Sequence, residues 1–167
     1  VPAENKMDLQ LGYNEKKFGA NSFYSAKYPN QYEHTQRMMA SLRGDLGGEH
    51  LRLLPTVYWD REYDCFELVR GTTFGQNYHI VNNYGAGLIA NYSSLLGTTT
   101  LGGELRYEEV IGNKLGTPRA KPESYYTKFG SRTNVSLSLE HTVKLDKWLI
   151  SAGTLMSHNT LLSGKYT

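Results

Sequence analysis

The chain has 167 residues, 39% of them hydrophobic, and a formal net charge of +2 from 18 basic and 16 acidic residues spread without a basic block, so nucleic acid finds no electrostatic footprint on it. No run approaches the ~18 consecutive apolar residues of a membrane-crossing helix, and mean hydropathy is −0.52; a β-barrel escapes both tests, because its strands need an apolar residue only at every second position. Cys65 is the one cysteine, which excludes an intrachain disulfide and a cysteine metal cluster, and the residues from Val1 carry no charged stretch followed by an apolar one, so no secretion signal is read there.

Thirteen tyrosines and 17 glycines against five prolines suit extended strands joined by turns. Met7, Leu9, Leu11 and Tyr13 alternate with Asp8, Gln10, Gly12 and Asn14, which predicts a first strand with one apolar face. From Lys16 to Tyr32 the alternation stops, and Gly19, Asn21, Ser22, Pro29 and Asn30 mark a long loop that holds Phe18, Phe23, Tyr24 and Tyr28. Met38, Ala40, Leu42 and Leu46 then face away from Arg37, Ser41, Arg43 and Asp45, and Gly47-Gly48 signals a tight hairpin. Leu51, Leu53, Val57 and Trp59 form the apolar side of a third strand that runs on to Leu68. A phase slip at Cys65-Phe66 predicts a bulge, and Pro55 predicts an edge or bulge position because it donates no ladder hydrogen bond.

A fourth strand carries Tyr78, Ile80, Tyr84, Ala86, Leu88, Ala90 and Tyr92 on one side and turns at Ser94 to Gly97. Leu101, Leu105 and Tyr107 oppose Thr100, Glu104, Arg106 and Glu108 in a fifth. Gly112 to Arg132 reads as a second long loop with Pro118, Pro122, Tyr125 and Tyr126. Val135, Leu137 and Leu139 alternate with Asn134, Ser136, Ser138 and Glu140 before a turn at Asp146-Lys147, and Trp148, Ile150, Ala152, Thr154 and Met156 close the series. About seven strands are expected. The turns near Gly47, Leu96 and Asp146 fall at one end and the loops near Ser22, Thr73 and Lys121 at the other, with Tyr13, Trp59, Tyr84 and Tyr107 near the upper strand ends and Tyr92 and Trp148 near the lower ones. Short turns at one end, long loops at the other and two aromatic belts are the layout of an outer-membrane β-barrel. The fold class expected is therefore all-β: a segment of an antiparallel up-and-down transmembrane barrel, with residues 1–167 forming one partial barrel domain.

Gly12-Tyr13, the stretch FGANSFYSAKYPNQYE, then WDREYDCFELVR, then NYH ahead of a strand resemble TonB-dependent outer-membrane receptors of Bacteroidetes, over nearly the whole chain. The resemblance implies strands from the earlier part of a barrel of about 22 strands, and active import of a scarce bulky nutrient, a corrinoid or an iron complex of the vitamin B12 or siderophore kind. Its partners would be outer-membrane lipid, the remaining strands and plug of the same receptor, the TonB complex, and a surface lipoprotein docking on the loops. No TonB-box segment, no plug domain ahead of the first strand and no closing strand with an aromatic residue at Thr167 are read here, so further strands are expected to complete the wall.

The aromatic loop residues Phe23, Tyr24, Tyr28, Tyr125 and Tyr126 are the candidate ligand or partner contacts, because rings give large contact area at small entropic cost. Asp60, Glu62 and Asp64 share a face and could gather Ca²⁺, although their spacing matches no complete loop motif. Glu104, Arg106 and Glu108 read as a charge ladder facing the barrel interior. His34, His50, His79, His141 and His158 offer no paired spacing for haem or a metal, so no cofactor is expected, and His141, costly in the middle of an apolar row, either snorkels near the lower interface or marks a phase slip. Neither a nucleophile elbow nor a phosphate loop nor a zinc motif occurs, so no enzymatic activity is expected. The competing readings are a soluble ligand-binding β-barrel or β-sandwich, which would bury Leu88, Leu105, Leu137 and Leu139, and a surface adhesion protein without energised uptake.

Overall fold

Alternation at a period of two does organise the chain. The computed structural model describes residues 5–160, and these form one antiparallel sheet of eight strands: β1 (Lys6–Gly19), β2 (Tyr32–Gly47), β3 (Leu51–Glu67), β4 (Asn77–Ser94), β5 (Gly97–Gly112), β6 (Thr117–Glu123), β7 (Tyr126–Leu145) and β8 (Trp148–Asn159). Each strand from β1 to β4 pairs with its successor, and the order then runs β5-β7-β6, with β8 also on β7. The sheet is not closed into a barrel by the described residues. The expected lack of an aromatic closing strand at Thr167, and the reading of the first residues from Val1, fall outside the described residues.

One strand more than expected arises from the supposed loop between Gly112 and Arg132. It is a β-hairpin, β6 with the upper part of β7, turning at Ser124. TPRAKPE has no alternation to betray it, and β6 exists because β7 offers its edge. That edge is divided lengthwise: Thr117 and Pro118 pair with Phe129 and Lys128, while β8 pairs lower down, from Asn134↔Asn159 to Leu145↔Trp148. To reach it from β5, the chain crosses β7 through residues 113–116. The crossing lies over Gly130, whose absent Cβ would stand 3.6 Å from the Gly116 Cα. Gly116 itself has φ +96°, a conformation that side chains other than hydrogen rarely tolerate.

Two further expectations are corrected. The ladders of β3 run without a shift through His34↔Cys65 and Cys65↔Tyr78, so there is no bulge at Cys65-Phe66. Pro55 lies inside the sheet, between β2 and β4. Its ring is accommodated because Gly44 stands opposite, where a Cβ would come within 2.9 Å of the Pro55 Cγ, and the β2–β3 ladder skips that pair while Pro55↔Leu88 is kept on the other side.

The sheet has scarcely any interior. Among the described residues only Ala20 and Cys65 are buried apolar side chains, and Gln31 and Asn82 are the buried polar ones. The accessible surface is 12057 Å² for 18.9 kDa, where a compact globule of that mass would expose about 8,300 Å². Leu9, Leu88, Leu105 and Leu137, which a soluble sandwich would bury, are 67, 46, 52 and 56% exposed.

Candidate functional site

Register fixes which residues share a face. On one side stand Leu9, Leu11, Leu42, Ala40, Val57, Ala86, Leu88, Leu105, Val135, Leu137 and Met156, and on the other Arg37, Arg43, Asp60, Glu104, Arg106, Arg132 and Ser136. The apolar side is a band with sharp margins. Its upper margin is Tyr13, Met38, Trp59, Tyr84, Tyr107, Val135 and Met156, one residue per strand from β1 to β5 and then on β7 and β8. One pleat higher on the same face come Glu15, Gln36, Arg61, Asn82, Glu109, Thr133 and His158, all polar. Trp59, Tyr84 and Tyr107 are direct cross-strand partners, with the two tyrosine rings 6.3 Å apart. Near the lower margin Tyr92, Thr99 and His141 share a row, and both His141 nitrogens are engaged, Nδ1 with the Thr99 hydroxyl at 2.9 Å and Nε2 with the Leu96 carbonyl at 3.3 Å.

The margins do not follow the hydrogen-bonded rows. The row through Tyr13 runs by Met38 to Arg61, Asn82, Glu109 and Ser131, so it leaves the band at β3. The row through Met7 at the lower margin runs by Pro55, Leu88 and Gly103 to Leu137, well inside the band of β7. The band slides down the strands as it crosses the sheet.

The polar side is paired across its strands. Arg37 grips Asp60 through two hydrogen bonds of 3.0 and 2.8 Å, and Arg52 holds Asp45 in the same fork. Glu108 takes Arg132 and Arg106 together, the latter at 3.2 Å, and Asn134 at 3.4 Å. The expected charge ladder is thus present and internally compensated. Tyr58 of β3 lies flat across Gly85 of β4 and donates to Glu104 of β5 at 2.9 Å, a reach that any side chain at Gly85 would obstruct. Asp60, Glu62 and Asp64 share this face but do not converge: Asp60 is held by Arg37, and Asp64 faces His79 at 3.8 Å. Among the described residues no three His, Cys, Asp or Glu side chains gather as a metal site.

Above the band the strands continue into a rim where the candidate aromatic residues separate. Phe23 and Tyr24 come together with their ring centroids 4.8 Å apart, and Tyr24 packs at the same distance against Phe66 on the polar side of β3. The Tyr24 hydroxyl donates to Glu33 at 3.2 Å, and burial and that carboxylate both push the phenol up from its ordinary value. Tyr28 meets Phe74 of the loop after β3 at 5.9 Å, where the Arg70 N–H also donates to the Asn30 carbonyl. Tyr125 goes elsewhere. It stacks on Tyr78 at 4.6 Å beside Cys65, whose thiol burial pushes up; Tyr78 and Cys65 are a cross-strand pair on the apolar-band side of β3 and β4. Tyr126 forms no ring pair with either group; its phenol lies near Tyr63, beside Cys65 and Tyr78, and its carbonyl accepts a hydrogen bond from Arg119.

Gln31, Phe66 and Phe74 were not anticipated. Gln31 is fully buried, and its amide accepts from the Tyr24 N–H and donates to the Ser25 carbonyl, which fixes the aromatic loop from beneath. A lone glutamine at a loop end has no local signature, so only the fold reveals it. Neither a protein-family model nor a curated protein nor a solved structure matches this chain.

Proposed function

We propose that this chain is part of the wall of a bacterial outer-membrane β-barrel receptor of the TonB-dependent type, importing a scarce bulky nutrient such as a corrinoid or an iron complex. The observation that carries the reading is the slant of the apolar band. A membrane is planar, so on strands that cross it obliquely a lipid-facing belt must shift along each successive strand.

Between β1 and β7, five steps apart in the sheet, the upper margin falls from the Tyr13 row, which meets β7 at Ser131, to Val135, and the lower margin falls from the Met7 row, at Leu137, to Leu145. That is four and eight residues over five steps, and at ~3.4 Å per residue and ~4.8 Å between strands the two margins correspond to tilts of about 30° and about 49°, with a mean of about 40°. Outer-membrane strands tilt by ~35–45°. Tyr84 and Tyr92 bound the band on β4, and their separation along the strand is about 27 Å, or about 21 Å once tilted, near the ~25 Å of such belts.

The polar side then lines the water-filled interior, with its charges paired across strands, and the aromatic rim receives the ligand from outside. Import in this family is driven through a plug and the inner-membrane TonB complex, with the remaining strands closing the barrel. A soluble ligand-binding module would need a second layer over the exposed leucines, and the excess accessible surface weighs against one.

Phase separation in a clouding detergent, followed by polarised infrared spectroscopy in oriented lipid, tests the wall. The protein should enter the detergent phase and show strands inclined by about 40° to the membrane normal. Retention in the aqueous phase would sink the reading. In the intact receptor, deletion of the TonB-coupling segment should abolish uptake while leaving ligand binding in place.

A further inference from the structure

The cavity at the rim, about 470 Å³, is lined by Phe18, Phe23, Tyr24 and Glu33, among others. We propose that it receives an organic cation, an alkylammonium or quaternary ammonium group carried by the ligand. This deepens the reading of the rim as the ligand's entry point by assigning the ligand a charge.

Three aromatic side chains at one place are 43, 79 and 57% exposed, on a loop that is held rather than loose, since the buried Gln31 ties the Tyr24 and Ser25 backbone. Rings kept open to solvent by a fixed loop are preorganised for a contact. Electrostatics selects its sign. A ring face is the negative side of its quadrupole, and the Glu33 carboxylate lies 3.2 Å from the Tyr24 hydroxyl. Asp64, on the neighbouring strand, has one carboxylate oxygen buried without a hydrogen-bond donor.

The same rim already uses its rings as seats for positive groups. Lys27 lies 5.6 Å over Tyr28, and the Arg70 guanidinium 4.6 Å over Tyr32. Among the described residues no cation of the chain covers Phe18, Phe23 or Tyr24. Of the nearby basic side chains, Lys17 pairs with Glu15 at 2.8 Å and Arg37 with Asp60, and Lys16 lines the adjoining cleft without an ion pair to Glu33. Exposed aromatic rings beside a carboxylate with no ion pair among the described residues are complementary to a soft, weakly hydrated cation, and an anionic group would meet Glu33.

The test is calorimetric titration of the purified protein in detergent micelles with choline and with its uncharged isostere 3,3-dimethylbutan-1-ol. Choline should bind about 5- to 30-fold more tightly. Glu33→Gln should reduce that preference below about 3-fold, and Phe23→Leu should weaken choline alone, with strand content by circular dichroism unchanged in both. Equal affinity for the two probes, binding of neither, or a choline preference indifferent to both substitutions would overturn the proposal. Choline preference in protein that stays in buffer without detergent would uphold the cation site and overturn the membrane wall; no preference in protein that partitions into detergent would do the reverse.

Discussion

Met7 and Met156 lie on one register row that crosses seven strands, interrupted in its ladder only between Gly44 and Pro55, yet Met7 belongs to the lower margin of the apolar band and Met156 to its upper one. Near the middle of that row is Leu88, four residues from each tyrosine that bounds the band on β4. If the band faces lipid as proposed, Leu88→Arg places a charge at the bilayer midplane and should cost about 2–4 kcal/mol in folding into lipid vesicles. Ser136→Arg, on the polar side opposite Glu104, should stay within ~0.5 kcal/mol. Equal costs would contradict the assignment of the faces.

Tyr58 reaches Glu104 only because Gly85 offers no side chain beneath its ring. Gly85→Ala should expel the ring and lower stability by roughly 1–3 kcal/mol, by overpacking and by loss of the hydrogen bond. Tyr58→Phe keeps the ring and should lose only about 1 kcal/mol. Urea unfolding of the two variants measures the difference.

Glu15 sits one pleat above Tyr13, outside the apolar band, and accepts hydrogen bonds from His34 at 2.8 Å and Gln36 at 3.2 Å beside the Lys17 ion pair. Lys17 first, then Gln36 and His34, hold its carboxyl down at about 2. A depressed acid stabilises the folded state above its ordinary value, so this contribution is present above about pH 4.5 and is lost as pH falls towards 2. Carboxyl ¹³C shifts should report the midpoint, and one near 4.5 would refute the cluster.

Gly130→Val should push out the segment that crosses β7, because its Cγ methyls would have to fit between the Val110 side chain, 3.3 Å from the added Cβ, and the Gly116 backbone at 3.6 Å. Trypsin should then cut faster at Lys114 and Arg119, while Gly48→Ala, with nothing within 4 Å, leaves the digestion pattern unchanged. An identical pattern for the two variants would exclude the crossing as a steric constraint.

The faces of β1 to β5, β7 and β8 were legible because a half-exposed strand writes its two environments into alternate residues. Where that coupling fails, so does the reading. Thr117–Glu123 alternates nothing, and its strand is imposed by the edge of β7. Phe66 suggested a slip of phase because an apolar ring followed Asp60, Glu62 and Asp64 on the polar side; it belongs there because Tyr24 packs on it from a loop some forty residues earlier. Pro55 looked misplaced until its neighbour across the ladder proved to be Gly44. The rim aromatics were visible as a set, but their division between the two sides of the sheet depends on contacts between distant segments, Phe23 and Tyr24 with Phe66 and Tyr125 with Tyr78.

β7 runs unbroken for 20 residues, bonded to β5 on one edge and to β6 and β8 in succession on the other. A push on the hairpin tip at Ser124 is therefore applied along the strand axis, perpendicular to the ladder bonds, which share the load in shear instead of opening one after another. The hairpin is an outrigger carried by β7, and whatever touches it is mechanically coupled to the strands below.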